Sequence, residues 1–134
     1  MTIGLISPPW SSQIAAGTGS ISKPDVNTTL IQQGSQNLIL NWQSFNVAPQ
    51  ELVQFNQPNT SAAALNRIFD QNPSEIYGSI RANGRVALIN PNGVLFKPGA
   101  SVSVGSLIAS GMDIKNDDFM SGNYKFTAPE GQEG

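Results

Sequence analysis

The stretch from Asn83 to Ser110 (NGRVALINPNGVLFKPGASVSVGSLIAS) limits the possible folds more than any other. Three short apolar runs, Val86–Ile89, Val94–Phe96 and Val102–Leu107, alternate with turn residues. The turns are Asn83-Gly84, Asn90-Pro91-Asn92-Gly93 and Lys97-Pro98-Gly99. Asn and Gly tolerate positive φ, whereas Pro fixes φ and cannot donate to a strand ladder. The pattern predicts strand, corner, strand, corner, strand, with no room for a helix.

The same grammar extends upstream. Thr28–Gln33 and Asn37–Trp42 read as strands about a Gly34-Ser35-Gln36 turn. In the second, Leu38, Leu40 and Trp42 share one face, with Ile39, Asn41 and Gln43 on the other; Phe45 and Val47 continue the apolar face. Leu52–Asn56 is a further short strand, closed by Gln57-Pro58-Asn59. Ser61–Phe69 holds three alanines, which favour a helix, but its shortness and its β-type surroundings assign it to strand. Ile76–Ile80 reads as one strand that leads into the opening stretch. Before residue 26 the pattern is mixed, with Pro8-Pro9-Trp10 as an extended anchor and Ile14–Ser22 as a short strand. After Ser110 an acidic connection leads to a last short strand at Asn123–Phe126 and a frayed tail.

A single all-β domain of 134 residues follows. Two architectures accommodate short strands without intervening helices. One is an antiparallel sandwich or barrel of hairpins. The other is a parallel β-helix, whose coils of roughly 20 residues stack on one another. Asn-rich turns, able to stack amides from coil to coil, and strands apolar on successive residues suit the β-helix. Both remain open on these grounds.

Composition excludes several activities. Charged residues make up only 12% of the chain and net charge is −2, with the seven basic residues scattered. Binding to nucleic acid through its phosphates needs clustered Lys and Arg, so none is expected; Arg81 and Arg85 read as a solvated strand edge. No apolar run approaches the roughly 20 residues of a membrane-spanning helix, so no membrane insertion is expected. Without Cys or His there is no thiol nucleophile and no Ser-His-Asp arrangement. Asp113, Asp117 and Asp118 lack the ligand spacing and terminal Glu of a calcium loop and read as a solvated turn. Glu51 and Glu75 are the remaining candidates for a carboxylate pair, but nothing in the sequence pairs them. The chain therefore reads as a non-enzyme with no cofactor and no metal. Trp42 and Phe45 are the clearest core aromatics. Asn90-Pro91-Asn92-Gly93 reads first as a tight corner: Pro91 fixes φ, Asn92 and Gly93 supply positive φ, and Asn90 caps the preceding strand through its amide.

Several segments carry a resemblance to a known family. NWQSFNV (41–47), VQFNQPNTSAAALNRI (53–68), NPSEIYGSIRANGRVALINPNGVLF (72–96), VGSLIAS (104–110) and MDIKNDDFMSGNYKF (112–126) occur in order. Together they resemble the N-terminal secretion (TPS) domain of two-partner secretion exoproteins, the filamentous-haemagglutinin and high-molecular-weight-adhesin family of Gram-negative bacteria. The family's NPNG motif falls on Asn90, Pro91, Asn92 and Gly93, with Asn41, Trp42 and Phe45 in the NWQSFN segment upstream. Its NPNL motif has no clean counterpart; Gln57-Pro58-Asn59-Thr60 and Asn72-Pro73-Ser74-Glu75 are the nearest.

The resemblance implies a right-handed parallel β-helix with an N-terminal cap and extra-helical strands. It places the cap in residues 1–25, the coils in 26–126 and the tail in 127–134, within a larger exoprotein. It also implies a role in targeting that exoprotein to a cognate outer-membrane transporter of the Omp85 type, whose periplasmic POTRA domains recognise the domain in extended form. The product would pass through the periplasm to the cell surface or medium. The alternative is an adhesive module that itself binds host-surface glycans or proteins, which needs an exposed aromatic or polar platform.

Overall fold

The structure, a computed structural model, describes residues 12–111 and 113–122. The expected anchor at Trp10 and the last strand at 123–126 lie outside the described residues.

The strands wind as a parallel β-helix. Each coil opens with a strand of one sheet: β3 (Thr28–Gln33), β5 (Leu52–Asn56), β8 (Ser79–Ala82) and β11 (Ser101–Ser103). It then crosses to a second sheet: β4 (Asn37–Trp42), β6 (Ala63–Ile68), β9 (Arg85–Ile89) and β12 (Ser106–Ser110). A short third face holds β7 (Ser74–Ile76) and β10 (Val94–Phe96), extended by a parallel bridge from Val47 to Ile76. Within each face the coils pair in parallel, the register stepping from Thr28 to Leu52 to Ser79 to Ser101. The solenoid is right-handed, the hand that parallel crossovers adopt.

Among the described residues two strands break the parallel rule, both before the first coil. β1 (Ser12–Ala16) pairs antiparallel with β4, and β2 (Gly19–Asp25) pairs antiparallel with β3. Each covers an edge that would otherwise present unpaired backbone groups.

The in-register stacking explains the core. Inward positions align as columns: Leu38, Ala64, Val86 and Leu107; Ile31 and Phe55; Val53 and Ile80. Their buried members form the central cluster with Trp42, Phe45, Val47 and Ile76. The period-two reading of Leu38, Leu40 and Trp42 is borne out, and Ile39 on the opposite face is buried too. It belongs to a second cluster with Leu65, Ala87, Ile89, Ile114 and Phe119, outside the second sheet. Continuous apolar runs such as Leu38–Leu40 and Val86–Ile89 are therefore strands covered on both faces.

The cover is the segment after β12. It contains α1 (Asn116–Met120), a short helix in the expected acidic connection, where no helix is expected from sequence. Arg67, facing outward from β6, clasps this segment. It donates to Asp113 Oδ1 at 3.1 Å, to the Ile114 carbonyl at 2.7 Å and to Asn116 Oδ1 at 2.8 Å. Asp113 is thus an ion-pair partner of Arg67 rather than one member of a solvated acidic turn.

Three further expectations are corrected. Ile76–Ile80 is not one strand, since the chain turns at Tyr77-Gly78 from the third face to the first. A Cβ on Gly78 would run into the backbone carbonyls of Ala48 and Glu51 in the coil below. Val102–Leu107 likewise splits into β11 and β12 around Val104-Gly105. Asn83-Gly84 turns without positive φ, because it joins two sheets rather than closing a hairpin. Ser61–Phe69, by contrast, forms strand β6 as expected.

Candidate recognition site

The corner at 90–93 joins the second face to the third. The Gly93 N–H donates to the Asn90 carbonyl at 2.8 Å, closing a four-residue turn. Gly93 has φ 105°, and no non-glycine residue among those described has positive φ. Asn92 is therefore not left-handed, contrary to the sequence reading, and the turn is type I. Asn at the first position, Pro at the second and Gly at the fourth are the residues such a turn favours. A Cβ on Gly93 would meet nothing within 4 Å, so glycine is required by its dihedral angle and not by space.

Asn90 is fully buried. Its Oδ1 accepts from the Asn92 N–H at 2.9 Å. Its Nδ2 donates to Ser74 Oγ at 3.0 Å and to the Asn72 carbonyl at 3.2 Å, in the coil before. Its backbone N–H reaches the Ser110 carbonyl of the coil after, at 3.0 Å. Asn90 thus rivets three coils together, where the sequence suggests only a strand cap. Asn92 Nδ2 donates to the Asp70 carbonyl at 2.8 Å. The 70–74 corner that receives these bonds includes Asn72-Pro73-Ser74, one of the two segments nearest the second family motif. The outer rim is Pro91 and Asn92, both exposed, beside exposed Phe69.

The upstream residues divide. Trp42 and Phe45 are core, their rings meeting edge-on with centroids 5.1 Å apart and planes at 83°. Asn41 faces outward, in register with Arg67, and its Oδ1 is buried without a hydrogen-bond partner among the described residues. These three residues do not join the 90–93 rim into one surface.

Two polar devices escape the sequence reading. Asn66 occupies an inward position between Leu40 and Leu88 and is fully buried. It accepts from Trp42 Nε1 at 2.9 Å and donates to the Ala87 carbonyl at 3.1 Å. Gln33 and Gln57 form the amide ladder between coils, Gln57 Nε2 donating to Gln33 Oε1 at 3.2 Å while Gln57 Oε1 accepts from the Gly84 N–H at 2.7 Å. The amide stacking that the sequence suggests for Asn in turns is made here by Gln, at the end of β3 (Gln33) and just past the end of β5 (Gln57).

Arg81 and Arg85 lie in different sheets, and Arg85 donates to the Ser61 carbonyl at 2.6 Å. Among the described residues no group of three or more His, Cys, Asp or Glu could hold a metal ion. Glu51 and Glu75, unpaired in the sequence, line one groove outside the third face.

A β-helix with antiparallel strands over its first coil and an Asn-Pro-Asn-Gly corner riveting its coils is the frame of a two-partner secretion domain. Residues 11–133 match the TPS secretion domain family, and the chain belongs to it. It is 38% identical over 119 residues to a heme/hemopexin-binding protein of Haemophilus influenzae, covering 89% of this chain and 13% of that protein. A second heme/hemopexin-binding protein, from H. influenzae strain KW20 Rd, is 35% identical over 107 residues, 80% of this chain and 12% of its own length. The chain therefore spans about an eighth of these relatives. Among solved structures it matches the HMW1 secretion domain from H. influenzae, with a TM-score of 0.81 and 32% identity over 91% of this chain and 32% of that one. The family is not enzymatic, and its domains belong to exoproteins secreted with an outer-membrane transporter as partner.

Proposed function

We propose that this chain targets a larger exoprotein to its outer-membrane transporter and then nucleates folding of the β-helix on the far side. The supporting observation is the division of labour at 90–93: buried Asn90 ties coils together in the folded domain, whereas the Asn92 side chain makes one exposed hydrogen bond and adds little to that fold, which leaves it for recognition before the chain folds. The rim residues are read in extended form by the periplasmic POTRA domains of an Omp85-type transporter, and the exoprotein reaches the surface of a Gram-negative cell. Nucleation draws on the stacking. Phe96 and Val102 pair with buried Ile76 and Ile80 yet are 41% and 37% exposed, which leaves apolar surface for a further coil to cover. Haem ligation is not part of the proposal, because these residues include no His or Cys, the commonest axial ligands.

The test is Asn92→Ala in the exoprotein co-expressed with its transporter. The one side-chain hydrogen bond lost among the described residues is exposed and worth about 1 kcal/mol. Secretion should fall at least tenfold while the melting temperature of the domain drops by no more than about 5 °C. Unchanged secretion would remove Asn92 from recognition.

A further inference from the structure

We propose that the groove outside the third face is a docking site for an arginine-bearing segment of a partner protein. The groove encloses about 370 Å³, within the range of ligand-binding clefts. Its lining is mostly apolar, from Val47, Ala48, Pro49 and the ring of Tyr77, and includes Asn46, Glu51 and Glu75. Tyr77 is exposed, and its hydroxyl donates to Glu75 Oε1 at 3.3 Å, which orients the ring.

The carboxylates select the occupant. Glu51 Oε1 accepts from the Ala48 N–H at 2.9 Å and Glu75 Oε1 from Tyr77. Among the described residues each keeps its second oxygen free of protein donors, and the described ion pairs leave both without a cation. Lys97, which follows the Phe96–Ile76 pair and so stands beside Tyr77 on the next coil, makes no ion pair with either. Asn46 Oδ1 is taken by the Glu75 N–H at 2.8 Å, leaving its Nδ2 as a donor. Acceptors therefore outnumber donors. A neutral sugar, which needs both, is matched poorly, whereas a guanidinium forks onto carboxylate and stacks flat on an aromatic ring. Backbone pairing is closed at this point, because Glu51 occupies both the Ala48 N–H and, through its own N–H at 2.9 Å, the Ala48 carbonyl. The partner is held by side chains rather than as an added strand. The site exists only in the folded domain and does not depend on the transporter reading.

The experiment titrates the folded chain with a fluorescent peptide, Gly-Leu-Arg-Leu-Arg-Gly, by anisotropy. A lysine version of the peptide and chitotetraose serve as comparisons. Saturable binding is expected, tighter for arginine than for lysine. Glu51→Gln/Glu75→Gln should weaken it at least tenfold, the effect of losing one charge-assisted contact of about 1.5 kcal/mol. Tyr77→Ala should weaken it about fivefold, in line with a cation–π contact of about 1 kcal/mol. Asp117→Asn/Asp118→Asn removes the same charge from α1, whose residues do not line the groove, and should leave affinity unchanged. Equal loss in that control, no saturable binding of the arginine peptide, or binding of chitotetraose in its place would overturn the proposal.

Discussion

Trp42→Ala should lower the melting temperature of the domain by about 15 °C or more. Two costs combine. Emptying a fully buried indole site removes about 3–5 kcal/mol in transfer and cavity terms. It also strips Asn66 Oδ1 of its donor, and a buried acceptor left without one costs about 1–3 kcal/mol. At this chain length each kcal/mol moves the midpoint by roughly 3–5 °C. The second cost can be isolated. Trp42→Phe keeps most of the ring volume but orphans Asn66, whereas Trp42→Phe combined with Asn66→Leu removes both polar partners. A double variant less destabilised than the sum of the singles, by about 1–2 kcal/mol in urea unfolding, is the expected coupling. Additive singles would mean that the Trp42–Asn66 bond contributes nothing specific.

The second large effect falls on the corner. Asn90→Ala leaves Ser74 Oγ, the Asn92 N–H and the Asn72 carbonyl without their side-chain partner, in a site with no exposure. A loss of about 2–4 kcal/mol follows, or a fall of about 10 °C in the midpoint. Asn92→Ala, two residues on, costs about a third of that. Secretion should therefore fail in both variants for different reasons: Asn90→Ala because the coils come apart, Asn92→Ala because the rim is no longer read. Equal melting losses in the two would erase the distinction.

What the sequence made legible was local. The corner at 90–93 could be read, though not the negative φ of Asn92, because its residues satisfy their own turn geometry, and β4 because its period-two face runs unbroken into Phe45 and Val47. The parallel pairing was not settled by either feature; turn residues and apolar runs serve hairpins equally well, and the family resemblance decided it. The corner at Tyr77-Gly78 was hidden because its glycine answers to carbonyls of the previous coil, not to a turn motif nearby. Arg67 and Asp113 stand 46 residues apart, and Trp42 and Asn66 stand 24 apart. Such partners meet only once the coil length is fixed, so neither the clasp nor the buried bond left a local mark. Asn90 was assigned to its own strand for the same reason, since its real partners lie one coil away on either side.

The most direct test of the secretion-targeting account is a pull-down with the POTRA domains of the cognate transporter, presented with the native chain and with the chain held extended in mild denaturant. The extended chain should be captured, the folded one at least tenfold more weakly, and capture of the extended chain should be lost on Asn92→Ala. Capture of neither form would contradict the secretion-targeting account.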